Sequence, residues 1–465
     1  MLSPGLQCAA KLEPTISAYI TTVAQGSQTD RLVQSLRRGA SDIQFTVADV
    51  ECIMHSLAPG DETLSTTATS SEVGSAPAEG QITDKAIADA KAMIGLHLRP
   101  EGPYLQDATP DTLRNWCNGI GDLNPLYRDI GYGAATRYGT MLAHPMFPMA
   151  FGWLGRTRWG LPGVHGFYAG NDWELFRHVR PNDRITAIER VVGVEAKQSK
   201  FSGRLVLQYV EACYYNQRSE LLARALGTCT RHERKAARDA GKYKEIEQHE
   251  YTSEAHDRID QMVLDEPKNI RGANIRYWED VKEGEELPTI ARGPLSLMDT
   301  MGFLVGCGRG HTHGVVLQAA VKHPGHFFRN PEAGGGVEYT GIGHHRESVA
   351  KEVGVPGTYD YGPQRSSWMC TLITNWMGDA GFLKRVRSEM RRFNIVGDTT
   401  FCKGKIVRKY VKDRTALVDI EIAAENQRGE VTTPGLATVS LPSRDVTLPA
   451  FIDGSGVDLE LPLIR

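Results

Sequence analysis

The chain of 465 residues is poor in the features that would place it quickly. It has 8 cysteines, and no two fall at a C-x-x-C spacing, which excludes a disulfide scaffold and the common zinc modules. Reduced, mostly buried thiols in the cytoplasm are the expectation. Charge of neither sign is in excess: 53 Lys+Arg stand against 56 Asp+Glu, a net −3, so the footprint of a general nucleic-acid binder is missing. Long apolar runs are nearly absent. The exception, Tyr138–Gly155, carries His144, Pro145 and Pro148, which a membrane span would have to satisfy in lipid, so a buried helix is expected and no membrane partner. The start, Met1-Leu2-Ser3-Pro4, meets no charge until Lys11 and lacks the basic region of a signal peptide.

What is present is turn chemistry and a repeat. The 48 glycines and 23 prolines point to many turns. Residues 1–60 are weakly patterned, with a helix expected around Thr29–Arg38, and residues 60–82 form a Ser/Thr/Gly/Ala/Pro connector. An N-terminal extension, partly disordered, is therefore expected over 1–82. Beyond it the same order is read twice. Thr109-Pro110-Asp111 opens a helix toward Ile120, and Ser296 opens another through Val305. The apolar stretches His144–Gly155 and Ser366–Met377 each predict a long buried helix. Alternating runs follow in each half: Asp183–Val192, Gly203–Tyr214 and Glu220–Thr228, then Thr400–Val411, Thr415–Ala423 and Leu436–Leu441. Asn216-Gln217-Arg218-Ser219-Glu220 and Asn426-Gln427-Arg428-Gly429-Glu430 share N-Q-R-x-E between two such runs, which is hairpin chemistry repeated.

Two copies of one α+β fold are therefore expected, each an antiparallel sheet around a long central helix. The boundaries read as 83–235 for the first copy, 236–270 for a charged linker and 271–465 for the second. Arg231–Lys268 reads as a solvated helix joining the halves, or alternatively as a cover over a charged cofactor tail.

Gly121-Asp122-Leu123-Asn124-Pro125-Leu126-Tyr127-Arg128-Asp129, followed by Ala143-His144-Pro145-Met146, resembles the hydratase motif of the MaoC-like hot-dog family, roughly G-D-x-N-P-L-H-x-D and then A-H-G-M. The resemblance covers about 83–445 as a tandem double hot-dog. It implies reversible hydration of an enoyl-CoA, with the motif's Asp and His as acid and base and a helix N–H polarising the thioester oxygen. Alternatives are a non-catalytic acyl-CoA-binding subunit that needs a partner chain, and a thioesterase.

The pattern is split between the halves. Asp122 and Asn124 stand at motif positions, but Tyr127 replaces the histidine, and Pro145 replaces the glycine and has no N–H. In the second half His345 aligns with the histidine, Thr340 with the aspartate and Gly362 with the helix-opening glycine, beside Asp360 and Tyr361. Asp122, Tyr127, His345 and Asp360 are thus the catalytic candidates; Asn124, His144, Tyr361 and Gly362 are the substrate-binding candidates. His311, His313, His323, His326, His344 and His345 crowd Gly310–His345, but their spacing fits no zinc motif, so no metal is expected. Gly310–Gly343 reads as a loop or overhang near the acyl pocket. No separate cofactor is expected, since coenzyme A belongs to the substrate. A homodimer and a hetero-oligomer with another hot-dog chain both stay open.

Overall fold

The computed structural model describes residues 73–98, 105–152, 160–199, 203–240, 246, 248–310 and 312–445. The expected helix at Thr29–Arg38 and the first part of the connector lie outside the described residues. The last part of the connector is packed: Val73 sits with Ala320, Phe327 and Val337, and Ile82 with Ile87, Val191 and Val206.

In chain order the helices are α1 (Asp84–Ala92), α2 (Pro110–Ile120), α3 (Ile130–Ala135), α4 (Arg234–Ala240), α5 (Ser253–Asn269), α6 (Leu297–Gly306), α7 (His313–Lys322), α8 (Glu347–Glu352) and α9 (Gly362–Met377). The strands are β1 (His97–Leu98), β2 (His165–Leu175), β3 (Thr186–Ser199), β4 (Gly203–Tyr215), β5 (Leu221–His232), β6 (Ile290–Arg292), β7 (Phe327–Asn330), β8 (Gly336–Tyr339), β9 (Phe382–Glu389), β10 (Thr400–Lys412), β11 (Thr415–Asn426) and β12 (Val431–Ser440). Ten of them make one sheet in the order β1-β3-β4-β5-β2-β9-β12-β11-β10-β6, and β7 pairs with β8 apart from it. The first five strands in that order precede Arg234 and the last five follow Asn269, so two five-stranded halves join edge to edge through β2 and β9. The fold is α+β, a double hot-dog.

The seam explains why both its strands escape a periodicity reading. β2 and β9 pair antiparallel, with Asp172 opposite Arg387 and Glu174 opposite Arg385. Asp172 is bonded by Arg385 (Nε to Oδ1, 2.8 Å), and Glu174 by Arg224 of β5 (Nε to Oε2, 3.0 Å). Both carboxylates are buried. Charges that normally mark an outward face are here buried and paired. Gly170 sits in the seam at φ +149°, and a Cβ there would lie 2.4 Å from the Ser388 carbonyl oxygen, so the close strand approach requires glycine.

The repeated pentapeptide builds the same turn twice. Asn216 Oδ1 accepts from the N–H groups of Arg218 and Glu220, both at 3.0 Å, and its Nδ2 donates to Glu220 Oε2 at 2.7 Å. Asn426 does the same with Arg428 and Glu430, at 3.0, 3.1 and 3.0 Å. Each turn is also clamped to an acid: Arg218 approaches Asp183 at 3.6 Å and Arg428 pairs with Asp398 at 2.6 Å.

The central helices are not equivalent. α9 is buried from Pro363 to Met377. Its Trp368, Leu372, Ile373 and Trp376 each contribute about 1.5–3 kcal/mol by leaving water. The long helix expected over His144–Gly155 is replaced by a 3-10 turn, Phe147–Ala150, with 153–159 outside the described residues. Pro148 is the physical cause: it offers no N–H to the carbonyl four residues back and its ring clashes there, while each proline biases the residue before it away from helix.

Two further expectations are corrected. Residues 231–268 do not form one solvated helix: Arg231 lies buried in β5, and α5 ends with Glu266 buried. Gly310–Gly343 is no plain loop, since α7 packs with the β7–β8 hairpin through Ala320, Phe327 and Val337. Among the described residues no helix is long and apolar enough to cross a membrane.

Candidate active site

α2 starts at Thr109, whose hydroxyl caps the N–H of Thr112, and stops at Gly121, left-handed at φ +67°. That stop turns the chain so that Asp122 points inward, fully buried. Asp122 Oδ1 accepts from the Asn124 N–H at 2.7 Å. Asp122 Oδ2 accepts from Thr371 Oγ1 at 2.8 Å, across the boundary between the halves. His144 completes the group, with Nε2 3.4 Å from Thr371 Oγ1 and 3.6 Å from Asp122 Oδ2.

The other imidazole nitrogen fixes the proton. His144 Nδ1 accepts from the Met146 N–H at 3.2 Å, so in the neutral ring the proton sits on Nε2. It then points at the Thr371 hydroxyl, which passes its own hydrogen to Asp122. The result is a directed chain, His144 to Thr371 to Asp122, with no solvent-exposed member. Burial, reinforced by the Arg292 charge, pushes the His144 pKa down to about 3, so the ring is uncharged at neutral pH. Burial raises the Asp122 pKa, opposed by the bonds from Asn124 and Thr371 and by Arg292 and Arg128. Arg292 is itself fixed by Glu266 (Nη2 to Oε1, 2.9 Å), and Asn375 Nδ2 bonds the same Oε1 at 3.1 Å.

The other first-half candidates play different parts. Asn124 caps the short 3-10 turn Pro125–Tyr127, its Oδ1 accepting from the Leu126 N–H at 3.1 Å. Tyr127 is buried against the His144 ring, centroids 5.6 Å apart, and burial drives its pKa well above the ordinary phenol value. A phenol so shifted is a poor proton donor. Position 144, read as a substrate contact, is where the structure puts the ionisable partner of Asp122.

The second-half candidates gather elsewhere. Tyr361 precedes α9, and its ring stacks on His344 at 3.8 Å, with His345 at 6.0 Å. His345 Nε2 is buried and has no hydrogen-bond partner among the described residues. Gly362 opens α9 under the Tyr168 ring, where a Cβ would come within 2.6 Å of Cδ1. Asp360 is not available as a stand-in base: it is buried and held by both sides of Arg365, with Nε to Oδ2 at 2.8 Å. Arg365 in turn donates to the Arg392 carbonyl and Thr433 Oγ1. Thr340, at the aspartate position, contributes its carbonyl oxygen to Arg234 Nη2 at 3.3 Å. Thr371 lies nine residues along α9 from Gly362, roughly 13 Å of rise. The His345–Tyr361–Gly362 group and the Asp122–His144 pair are therefore separate.

Thr371, Arg292 and Glu266 are the site residues that the motif does not reveal. A hydroxyl inside an apolar stretch is a signal for Thr371; Arg292 and Glu266 carry none.

Residues 92–225 match the model of the FAS1-like dehydratase domain region. Among solved structures, a MaoC-like dehydratase aligns at 17% identity and TM-score 0.53, over 76% of this chain and 99% of its own. A MaoC domain protein dehydratase from Chloroflexus aurantiacus J-10-fl aligns at 13% identity and TM-score 0.47, over 76% and 96%. A double hot-dog protein from Mycobacterium tuberculosis aligns at 12% and 0.45, over 79% and 98%. No curated protein matches the chain. The first of these structures shows the fold, and the family model places a dehydratase-region signature on residues 92–225, the part of the chain that carries Asp122 and His144.

Proposed function

We propose that the chain hydrates an α,β-unsaturated acyl thioester, and dehydrates its 3-hydroxy product, with Asp122 as the proton-handling group and the neutral His144 as its hydrogen-bonding neighbour. The observation that carries this reading is the directed chain from His144 Nε2 through Thr371 Oγ1 to Asp122 Oδ2. Hydration needs an acceptor for a proton of water as its oxygen attacks the β-carbon, and a donor to the α-carbon. Asp122 accepts a proton of the attacking water and, as the carboxylic acid so formed, delivers it to the α-carbon, while the neutral His144 Nε2–H and the Thr371 hydroxyl hold the carboxyl in place. Acyl-CoA is the substrate class that the motif resemblance suggests, with no further cofactor.

The test follows the enoyl-thioester absorbance with purified protein and straight-chain and bulky acyl-CoA substrates. Turnover that falls at least 100-fold in Asp122→Asn supports the reading; no turnover on any substrate, alone or with a partner chain, removes it.

One observation favours a second reading, that of a non-catalytic acyl-thioester-binding subunit. Asp122 and His144 are wholly covered, and Pro145 has no N–H for the thioester oxygen. That protein would be thermally stabilised by an acyl-CoA that stays chemically unchanged.

A further inference from the structure

A cleft of about 70 Å³ lies between the end of the first half and the β7–β8 region, with room for several water-sized groups. Its lining includes Arg231, Arg234 and His165 of the first half with His326, Thr340 and Gly341 of the later segment. No carboxylate lines it among the described residues.

Two of the basic groups have different duties. Arg231 is structural: Nη2 donates to the carbonyls of Leu161 and Val164 at 2.9 and 2.7 Å, and Nη1 to Gln208 Oε1 at 2.7 Å. Arg234 is only 6% exposed, yet of its three nitrogens only Nη2 is bonded, at 3.3 Å to the Thr340 carbonyl. Its Nε and Nη1 are buried without a hydrogen-bond partner among the described residues, and so is Nε2 of His165, which also lines the cleft. Glu352 and Glu79 act on Arg234 through space, but neither pairs with it among the described residues, and Glu79 is taken by Arg238 at 3.7 Å. A guanidinium removed from water with two of its nitrogens unbonded is costly unless an acceptor arrives. An acceptor-only group bearing negative charge matches this donor set.

We propose that this cleft is an oxyanion site that takes a phosphate group, with Arg234 as its principal donor and His165 as a second. The proposal does not rest on the thioester reading, since the cleft shares no residue with the Asp122–His144 pair. An occupant would bond at once to a residue of the first half and to the segment carrying Thr340, tying the two together.

The experiment measures thermal unfolding of the full chain in inorganic phosphate, with chloride and acetate at matched ionic strength. Phosphate is expected to raise the melting temperature saturably, and the other two anions are not. Arg234→Met is expected to lose that shift while the anion-free protein melts no lower than wild type, because an unpaired buried charge has been removed. A merely structural arginine would lower the anion-free melting temperature instead, which would overturn the proposal. A phosphate shift that survives Arg234→Met, or that chloride matches, would overturn it as well. Should Arg234→Met fail to fold, Arg234→Lys keeps the charge and loses the planar fork, and a tenfold weaker phosphate affinity is expected; unchanged affinity is the contrary result. Titration with inorganic phosphate and with adenosine 3′-phosphate then separates a free anion from a phosphate ester. Binding of either supports the site, and binding of neither overturns it.

Discussion

Thr371 Oγ1 donates a 2.8 Å hydrogen bond to Asp122 Oδ2, joining the central helix of the second half to the motif loop of the first. The pair is fully buried, and neither half could build it alone. Replacing the hydroxyl by an isosteric methyl, Thr371→Val, leaves a buried carboxyl with one donor fewer. A loss of about 1–3 kcal/mol in urea unfolding is expected, together with slower turnover. Wild-type stability and rate in the variant would mean that the bond has no part in either.

Acid should loosen the fold through its buried imidazoles. His144, His178 and His344 are each pushed down to about 3, chiefly by burial. Their folded forms stay neutral, while the unfolded chain takes up protons below about 6.5. Their stabilising contribution is complete above that pH and is lost as pH falls toward 3. Asp122 and Asp360, with raised pKa values, act in the opposite sense. His144→Gln isolates one member: the slope of stability between pH 6 and 4 should flatten by up to about 1.4 kcal/mol per pH unit. An unchanged slope in urea titrations would contradict a neutral, buried His144.

Asp360 separates structure from catalysis. Asp360→Asn strands the buried Arg365, at an expected cost of about 3–5 kcal/mol, while turnover per folded molecule stays near wild type. Calorimetry with active-site-normalised rates checks both halves of the statement. A folded variant of normal stability that has lost its activity would restore Asp360 to the reacting centre.

The twin hairpins give a symmetric prediction. Asn216→Ala and Asn426→Ala each remove the same three hydrogen bonds, so each should cost about 1–3 kcal/mol and the two values should agree within about 1 kcal/mol. Strongly unequal losses in urea unfolding would argue against equivalent turns.

What could be read ahead of the structure was local. Thr109 and Ser296 do cap helices at their positions, and N-Q-R-x-E does mark two equivalent turns, because caps and turns are set by a few neighbouring side chains. β2 and β9 were hidden because Asp172, Glu174 and Arg385 are charged residues in an interior seam, where polarity no longer reports exposure. The first central helix was overread from its apolar composition, whereas Pro148 decided its geometry. In the candidate site, Asp122 and His144 are legible from the motif, and the structure brings them together. Thr371 is marked only as a hydroxyl inside an apolar stretch, and Arg292 not at all, since partners so far apart in the chain share no local pattern.

The most direct test compares enoyl-thioester hydration by Asp122→Asn and by His345→Ala, each shown to be folded. With the proton-handling carboxyl in the first half, Asp122→Asn should lose at least 100-fold in rate and His345→Ala should keep nearly all of it. A normal rate in Asp122→Asn beside a dead His345→Ala would contradict the account.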